Sequence, residues 1–316
     1  MQAFFQYFVL SAPLFGIVLL GYMIANWSQW KPQWTVWASK FVFGVALPAM
    51  LFHLMSSMNE MPDVSPKVLV AFFGGCFIVF AAGRWIAAKT FGLDGVSQSI
   101  FAMGGIFSNN VLLGLPLVRL TLGSDAIPPA AFVIVFNAFT LWTLVSISIE
   151  WARHGSFTAK GIGKAGLAII TSPLVAGIVS GTLFGLSGLR LPGIVEQLLA
   201  LLSALAAPGA LLILGMGLVQ YGVRTGWRQS LAISGVKLVL FPLTVWSLAT
   251  VLGLSSIETK AIVLLASMSV GANVYLMSMQ FQAMQSAIAS SMVISTALAA
   301  VTTPLLLAAM AAVLGG

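Results

Sequence analysis

Long apolar runs, separated by short polar stretches, fill almost the whole chain. Each run has about 20 residues, the length that an α-helix needs to cross the hydrocarbon core of a bilayer. The pattern predicts ten membrane-spanning segments. They lie near residues 3–25, 37–57, 66–88, 98–120, 129–150, 166–186, 194–219, 229–252, 259–282 and 286–312.

Composition supports a membrane protein. Hydrophobic residues make up 59% of the 316 residues and charged residues only 7%, whereas a soluble domain carries about 25% charged residues. So many apolar side chains exceed what one water-soluble core can bury, and the lipid bilayer must solvate most of them. The sequence therefore predicts an all-α polytopic membrane protein.

The basic residues carry topology information. The net charge is +7, but thirteen of the fourteen basic residues stand singly near the ends of apolar runs, and the basic residues form no patch for nucleic acid. Nine of them follow the first, third, fifth and seventh segments, and four follow the second, fourth, sixth and eighth. Cytoplasmic loops are enriched in Lys and Arg, so both termini are expected on the periplasmic side.

The two halves of the chain resemble each other. PLFGIV begins at Pro13 and PLVAGIV at Pro173, and prolines recur 35 residues later at Pro48 and Pro208. An odd number of segments per half would insert the second half in the opposite orientation, as in the inverted repeats of many secondary transporters. We expect five-helix repeats at 1–153 and 166–316, joined by a cytoplasmic loop at 154–165.

The fourth segment carries polar and helix-weakening residues deep in an apolar span. It contains SNNVLLGLP at 108–116. Asn and Gly lower helix preference and Pro removes a hydrogen-bond donor, so Gly114 and Pro116 predict a break in this helix. Such a break is tolerated in a membrane where it is covered by protein or lines a cavity. The alternative is that Asn109 and Asn110 only serve helix packing.

The ninth segment carries a corresponding sequence. SMSVGANVY occupies 267–275, and Asn273-Val274 matches Asn110-Val111 of the fourth segment. Its break would depend on Ser269, Gly271 and Asn273, because no proline matches Pro116. A packing role is again the alternative. Small residues at Gly177, Gly181 and Gly185 of the sixth segment predict close helix packing and offer one dimer surface.

These motifs resemble the signature of the auxin efflux carrier family. The similarity includes SNN followed by GLPL in the fourth segment, LPA at 47–49 and APGALL at 207–212, and it extends over essentially the whole chain. Compact bacterial members carry malonate and other carboxylates. Plant members carry auxin and have a long loop after the fifth helix. The short loop here is similar to the bacterial type, which implies a bacterial cytoplasmic membrane.

The resemblance implies a fold and a site. The fold would have ten helices in two inverted repeats, similar to sodium/proton antiporters and bile-acid transporters, with discontinuous helices 4 and 9 crossing near the midplane. A carboxylate would bind beside that crossing. The resemblance places Asn109, Asn110 and Asn273 around it. Ser108, Gly271 and Tyr275 are further candidates from the two motifs, with a structural role as the alternative for Tyr275.

Charge favours an anion over a cation. The seven acidic residues all lie in loops or at segment ends, whereas a cation carrier is expected to keep carboxylates at the midplane. Lys237 lies eight residues into the eighth segment, about 12 Å deep. It would attract the anion or balance its charge. Alternatively, its side chain extends back to the cytoplasmic surface.

Two further polar residues are candidates for coupling. His53, one turn after Pro48, could carry a coupling proton, or could be an interfacial hydrogen-bonding group. Asn137 in the fifth segment is a candidate outer group of the site. The sequence implies no cofactor, and the coupling ion, H⁺ or Na⁺, is left open.

Other classes of function fit less well. An enzyme would need paired acids, a metal cluster or an activated nucleophile, and two histidines, one cysteine and no buried acid supply none of these. We therefore expect a secondary carrier of small organic anions, malonate first among them. The alternatives are an exporter of larger, auxin-like acids and a membrane sensor that does not transport.

Overall fold

The computed structural model describes residues 2–27, 32–56, 64–154, 173–219 and 226–314, and every regular element in those ranges is helical. Fourteen α-helices are named here in chain order. They are α1 (Gln2–Asn26), α2 (Pro32–Phe41), α3 (Leu47–Ser56), α4 (Lys67–Phe91), α5 (Gly95–Ile106), α6 (Leu115–Leu122), α7 (Ile127–His154), α8 (Pro173–Leu186), α9 (Gly193–Leu218), α10 (Trp227–Gly235), α11 (Phe241–Val251), α12 (Ser256–Ala266), α13 (Ala272–Phe281) and α14 (Gln285–Leu314).

Within the described ranges, seven helical stretches are long and apolar enough to cross a membrane. They are Phe5–Asn26, Gln33–His53, Lys67–Phe91, Ser124–Arg153, Gly193–Leu218, Trp227–Val251 and Gln285–Leu314. They agree with seven of the ten predicted segments. The fourth and ninth segments each divide into two shorter helices, α5 with α6 and α12 with α13. The sixth is represented by α8, since residues 166–172 and most of the connecting loop, 155–165, lie outside the described residues.

Three helical stretches contain a π turn just before a proline. In the described chain these turns are Val42–Ala46, Asn110–Gly114 and Val236–Leu240, and the prolines are Pro48, Pro116 and Pro242. The residue before each proline donates its N–H to the carbonyl five residues back. A proline ring collides with the carbonyl four residues earlier, and widening the turn displaces that carbonyl. The prolines therefore change the helix pitch without ending the helix.

The helices divide into two units by their contacts. Unit 1 comprises Met1–Ala12, Val64–Ala165 and Tyr221–Gly316, and unit 2 comprises Pro13–Asp63 and Gly166–Gln220. Each unit takes helices from both halves of the chain. The predicted repeat boundaries at 153 and 166 therefore do not separate the units, and the repeat itself stays a prediction.

Unit 2 is closely packed through glycines. Added Cβ atoms at Gly177, Gly181 and Gly185 of α8 would lie 2.5, 2.6 and 2.7 Å from carbonyl oxygens of Pro48, Phe52 and Met55 in α3. The predicted packing role of these three glycines is confirmed. Because α3 of the same chain covers them, the expectation that they offer a surface to a second copy is wrong.

Unit 1 contains the two predicted segments that divide into shorter helices, α5 with α6 and α12 with α13. These are called here the interrupted helices. Within it α5 packs against α4, α7 and α10, and α12 packs against α7 and α11. Glycines allow close approach here too, since a Cβ at Gly105 of α5 would lie 2.6 Å from a methyl carbon of Val236. Large apolar side chains including Phe72, Phe101 and Phe241 fill its interior.

Polar side chains cap the N-termini of α5 and α12, the first helix of each interrupted pair. The Asp94 carboxylate accepts hydrogen bonds from the N–H groups of Val96 and Ser97 at the start of α5. These bonds, together with the one from the Ser97 hydroxyl, hold the pKa of Asp94 below its usual range. Ser255 and Glu258 form a capping box at the start of α12.

Candidate functional site

The two interrupted helices lose helical geometry at residues 107–109 and 267–271. The first interruption begins at Phe107, whose backbone is extended at the end of α5. The second begins at Ser267, directly after α12 ends at Ala266, and continues to Gly271, which is extended. The predicted break residue Ser269 therefore lies inside an interruption.

Gly114 and Pro116 lie beyond the first interruption. Gly114 ends the π turn, where its N–H donates to the Asn109 carbonyl at 3.0 Å, and Pro116 is the second residue of α6. The chain leaves helical geometry five to seven residues before Gly114, so the expectation that these two residues form the break itself is wrong. Gly114 instead permits close packing, since a Cβ there would lie 2.8 Å from a methyl carbon of Leu265.

The interruptions pair with each other as a short antiparallel ribbon, called here the junction (residues 107–109 and 269–271). Ser108 lies opposite Val270. The Asn109 N–H donates to the Ser269 carbonyl, and the Gly271 N–H donates to the Phe107 carbonyl, both at 2.9 Å. Backbone groups that the two helices leave unpaired at their breaks are thus satisfied by each other, as a low-dielectric environment requires.

The ribbon geometry gives the junction two faces. Successive side chains of extended, paired segments point to opposite sides. Ser108 therefore points to one side, and Asn109 and Ser269, which lie opposite each other in the ribbon, point to the other. We call the first side the lysine face and the second the amide face.

On the lysine face, Lys237 joins both interrupted helices. Its ammonium group donates to the Ser108 hydroxyl at 2.7 Å and to the Ala266 carbonyl, at the end of α12, at 2.5 Å. The same nitrogen lies 4.6 Å from the centre of the Phe241 ring. A cation suits this position because the carboxyl end of a helix carries partial negative charge.

Lys237 does not extend to the membrane surface. It lies ten residues after the start of α10, about 15 Å along the axis, and its side chain is 0% exposed. The alternative that it reaches back to the cytoplasmic surface is therefore wrong. Neither of its hydrogen-bond partners is acidic, so no carboxylate neutralises Lys237 through these contacts.

On the amide face, buried polar atoms lack partners. Among the described residues none bonds to Asn109 Nδ2 or Ser269 Oγ, and both side chains are at most 5% exposed. Both amide atoms of the adjacent Asn110, which is 3% exposed, also lack a partner. Each such group costs about 1–3 kcal/mol when it stays unpaired. A cluster of this kind is expected where a ligand or water completes the bonds.

Two helical stretches begin directly after the junction. The π turn that leads into α6 starts at Asn110, and α13 starts at Ala272. The first N–H groups of a helix have no acceptor within it and carry partial positive charge. Asn273 and Tyr275 lie in the first turns of α13 and are half-buried.

The two predicted coupling residues are not among the hydrogen-bond partners of the junction given above. Asn137 is buried in α7 of unit 1, and its Oδ1 has no partner in the described part of the chain. His53 lies in α3 of unit 2, where its Nδ1 is 3.5 Å from the Ser203 hydroxyl.

Two contacts at the junction were not predicted from sequence. Ser295 of α14 accepts a hydrogen bond from the Val270 N–H at 3.0 Å and so fixes the second interruption. The other is the hydrogen bond from Lys237 to the Ala266 carbonyl. It could not be predicted because backbone acceptors leave no signal in the sequence. A signal existed for Ser295, because buried hydroxyl residues recur along the apolar helix α14 at Ser291, Ser295 and Thr303.

Comparison with known proteins gives consistent matches over most of the chain. The family model described as "Membrane transport protein" matches residues 7–307. A protein of Rhizobium meliloti named "Putative malonate transporter" is 26% identical over 301 residues, covering 93% of this chain and 92% of that protein. An "Uncharacterized transporter" of Methanothermobacter thermautotrophicus is 26% identical over 255 residues, covering 80% and 81% of the two chains.

Proposed function

Because the chain belongs to the membrane transport protein family, the auxin efflux carrier family of the sequence resemblance, we propose that it is a secondary carrier of small carboxylates. The malonate-like substrate would bind at the junction. Ten membrane-spanning helices in two inverted five-helix repeats would provide alternating access to that site. The protein is a multi-pass membrane transporter and not an enzyme.

The amide face is the observation that carries the proposal. Asn109 Nδ2 and Ser269 Oγ can each donate a hydrogen bond, and they lie opposite each other on one side of the ribbon. A carboxylate accepts several hydrogen bonds and would satisfy both donors at once. The first N–H groups of α13, beginning at Ala272, would add partial positive charge beside it.

Lys237 contributes through its charge and its position. Its ammonium is engaged by Ser108 and Ala266, so it would attract the anion across the ribbon without binding it directly. It would also hold the two interrupted helices in register, which keeps the donors of the amide face aligned. This is a positioning role, in addition to the electrostatic role expected from sequence.

The acidic residues are consistent with anion transport. In the described ranges they are Asp94, Asp125, Glu150, Glu196 and Glu258, and all lie in caps, short turns or the terminal turns of helices. None of these five carboxylates is among the hydrogen-bond partners of the junction given above. Asn273, Tyr275 and Gly271 would complete the surroundings of the substrate, with Asn137 and His53 as candidates for coupling.

The setting proposed for the carrier follows from the family resemblance and from the distribution of basic residues. It would lie in a bacterial cytoplasmic membrane with both termini on the periplasmic side, because the basic loops would then face the cytoplasm. A homodimer is part of the proposal, formed through a surface other than the Gly177–Gly185 stripe.

Uptake into proteoliposomes tests the proposed function. Purified protein would be reconstituted and supplied with radiolabelled malonate, with short dicarboxylates, monocarboxylates and indole-3-acetate as competitors, and with imposed pH or Na⁺ gradients. We expect saturable uptake that short dicarboxylates inhibit most strongly. Stronger inhibition by indole-3-acetate would favour the exporter of larger acids, and no uptake of any carboxylate by folded protein would contradict the carrier.

A further inference from the structure

The side-chain amide of Asn110 can form a hydrogen bond with a ligand at each of its two polar atoms. Neither Nδ2 nor Oδ1 has a hydrogen-bond partner among the described residues, and the side chain is 3% exposed. The point does not depend on which end of the amide is nitrogen, since both atoms are unpaired. A ligand that satisfies this group must therefore accept one hydrogen bond and donate another.

A carboxylic acid meets that requirement and a carboxylate does not. The acid C=O accepts from the amide N–H while the acid O–H donates to the amide oxygen, which gives a paired, two-bond contact. A carboxylate has acceptors alone and would set a negative oxygen against Oδ1. Away from water the mismatch is costly, because a buried acceptor without a donor loses its hydration and gains nothing.

The charges at the junction lead to the same conclusion. Lys237 can supply at most one buried positive charge, and its bonding partners are the neutral Ser108 hydroxyl and Ala266 carbonyl. A monoanion balances that charge, whereas a dianion would leave an excess negative charge in a low-dielectric site. Asn109 and Ser269 can serve the one carboxylate, which leaves Asn110 for a second, neutral carboxyl group.

Building on the proposed function, we propose that the transported species is the half-protonated dicarboxylate, with one carboxylate at Asn109 and Ser269 and one carboxylic acid at Asn110. The dianion takes up one proton from water on the side of entry and releases it on the side of exit. Each turnover then moves one proton in an O–H bond of the substrate. No protein side chain at the junction has to titrate for this coupling.

Three ligands of similar size test the inference on the unaltered protein. Malonate gains its acid proton only as the pH falls. Malonamate, the monoamide, is a monoanion that offers a donor and an acceptor at every pH. Monomethyl malonate is also a monoanion but lacks the donor. Initial rates of radiolabelled malonate and malonamate uptake would be measured in proteoliposomes with equal internal and external pH, from mildly alkaline to mildly acidic conditions.

The inference predicts that malonate uptake rises as the pH falls, in proportion to the fraction of hydrogen malonate, while malonamate uptake stays constant. Malonamate should also compete about tenfold or more better than monomethyl malonate, because a site built around a hydrogen bond rejects an analogue that lacks the donor. Malonate uptake that is flat or rises with pH, or equal competition by the two monoanions, would overturn the inference and leave the carrier intact. No uptake of either ligand at any pH would overturn both proposals.

Discussion

The two faces of the junction use similar polar groups in opposite ways. On the lysine face the Ser108 hydroxyl, the Ala266 carbonyl and the Lys237 ammonium satisfy one another. On the amide face the Ser269 hydroxyl and the Asn109 amide nitrogen remain without partners in the described chain, although both residues are buried. Both faces belong to the same ribbon, in which each interruption contributes three residues.

This difference distinguishes residues that hold the two interrupted helices in place from residues that bind the substrate. A buried polar group with complete bonds stabilises the fold, and its removal should cost stability. A buried polar group without a partner costs stability, and it is retained where it serves function. The comparison therefore predicts opposite signs for changes in stability at residues that lie next to each other.

The largest effect is expected at Lys237. In Lys237→Met the Ser108 hydroxyl and the Ala266 carbonyl lose their shared partner, so the free energy of unfolding should fall by about 1–3 kcal/mol and transport should be lost. Thermal unfolding in detergent measures the change in stability, and malonate uptake measures the loss of transport. Lys237→Gln is the control, since it keeps donors but removes the charge. Unchanged stability of Lys237→Met would contradict the positioning role.

A change of opposite sign is expected at Asn110. Leu has a similar shape and no polar atoms, so Asn110→Leu should raise the free energy of unfolding by about 1 kcal/mol while abolishing uptake. The packing alternative predicts the reverse, a less stable protein that retains transport. A thermal unfolding curve together with an uptake assay on one preparation distinguishes these outcomes.

A matched pair of serine variants sharpens the comparison. Ser108→Ala removes a bond to Lys237 and should lower the free energy of unfolding by about 0.5–1.5 kcal/mol. Ser269→Ala removes an unpaired hydroxyl and should leave stability the same or slightly higher, while raising the KM for malonate. The chemical change is identical, so equal stability effects at both positions would show that the two faces do not differ.

The smallest effect is expected at Gly271. An added Cβ would lie 3.0 Å from the Ser108 carbonyl oxygen and 3.2 Å from the Phe107 ring, on the amide face. Gly271→Ala should therefore raise the KM for malonate and lower the free energy of unfolding only slightly, because the neighbouring atoms have to shift by little. Gly235→Ala is the control, because nothing lies within 4 Å of a Cβ at that position. Equal KM values for malonate in Gly271→Ala and Gly235→Ala would show that malonate binds away from the amide face.

Sequence reasoning could predict the region of the site but not its contacts. Asn109, Asn110, Ser269 and Gly271 are polar or small residues deep in apolar spans, and such residues are costly enough in a membrane to indicate function. The long apolar helices were predictable for the same reason, since about 20 apolar residues leave few alternatives. The family, too, was recognisable from its motifs, and the match over residues 7–307 confirms it.

The details that sequence reasoning missed depend on tertiary structure. Pro116 predicts a break, but a π turn absorbs its steric effect, and the interruption forms earlier, where Ser269 and Gly271 supply backbone partners. The partners of Lys237 are Ser108 of the first interruption and Ala266 of α12, both distant in the chain, and no local pattern specifies them. The covering of Gly177 by Pro48 is likewise a contact between distant segments.

The carboxylate site on the amide face is tested by the binding of radiolabelled malonate to purified Ser108→Ala and Ser269→Ala protein, compared with the unaltered chain. We expect Ser269→Ala to weaken binding about tenfold, the loss of one hydrogen bond to a charged group, and Ser108→Ala to bind malonate almost as well as the unaltered protein at a temperature where all three are folded. Equal affinities for the two variants, or weaker binding in Ser108→Ala, would contradict a carboxylate site on the amide face.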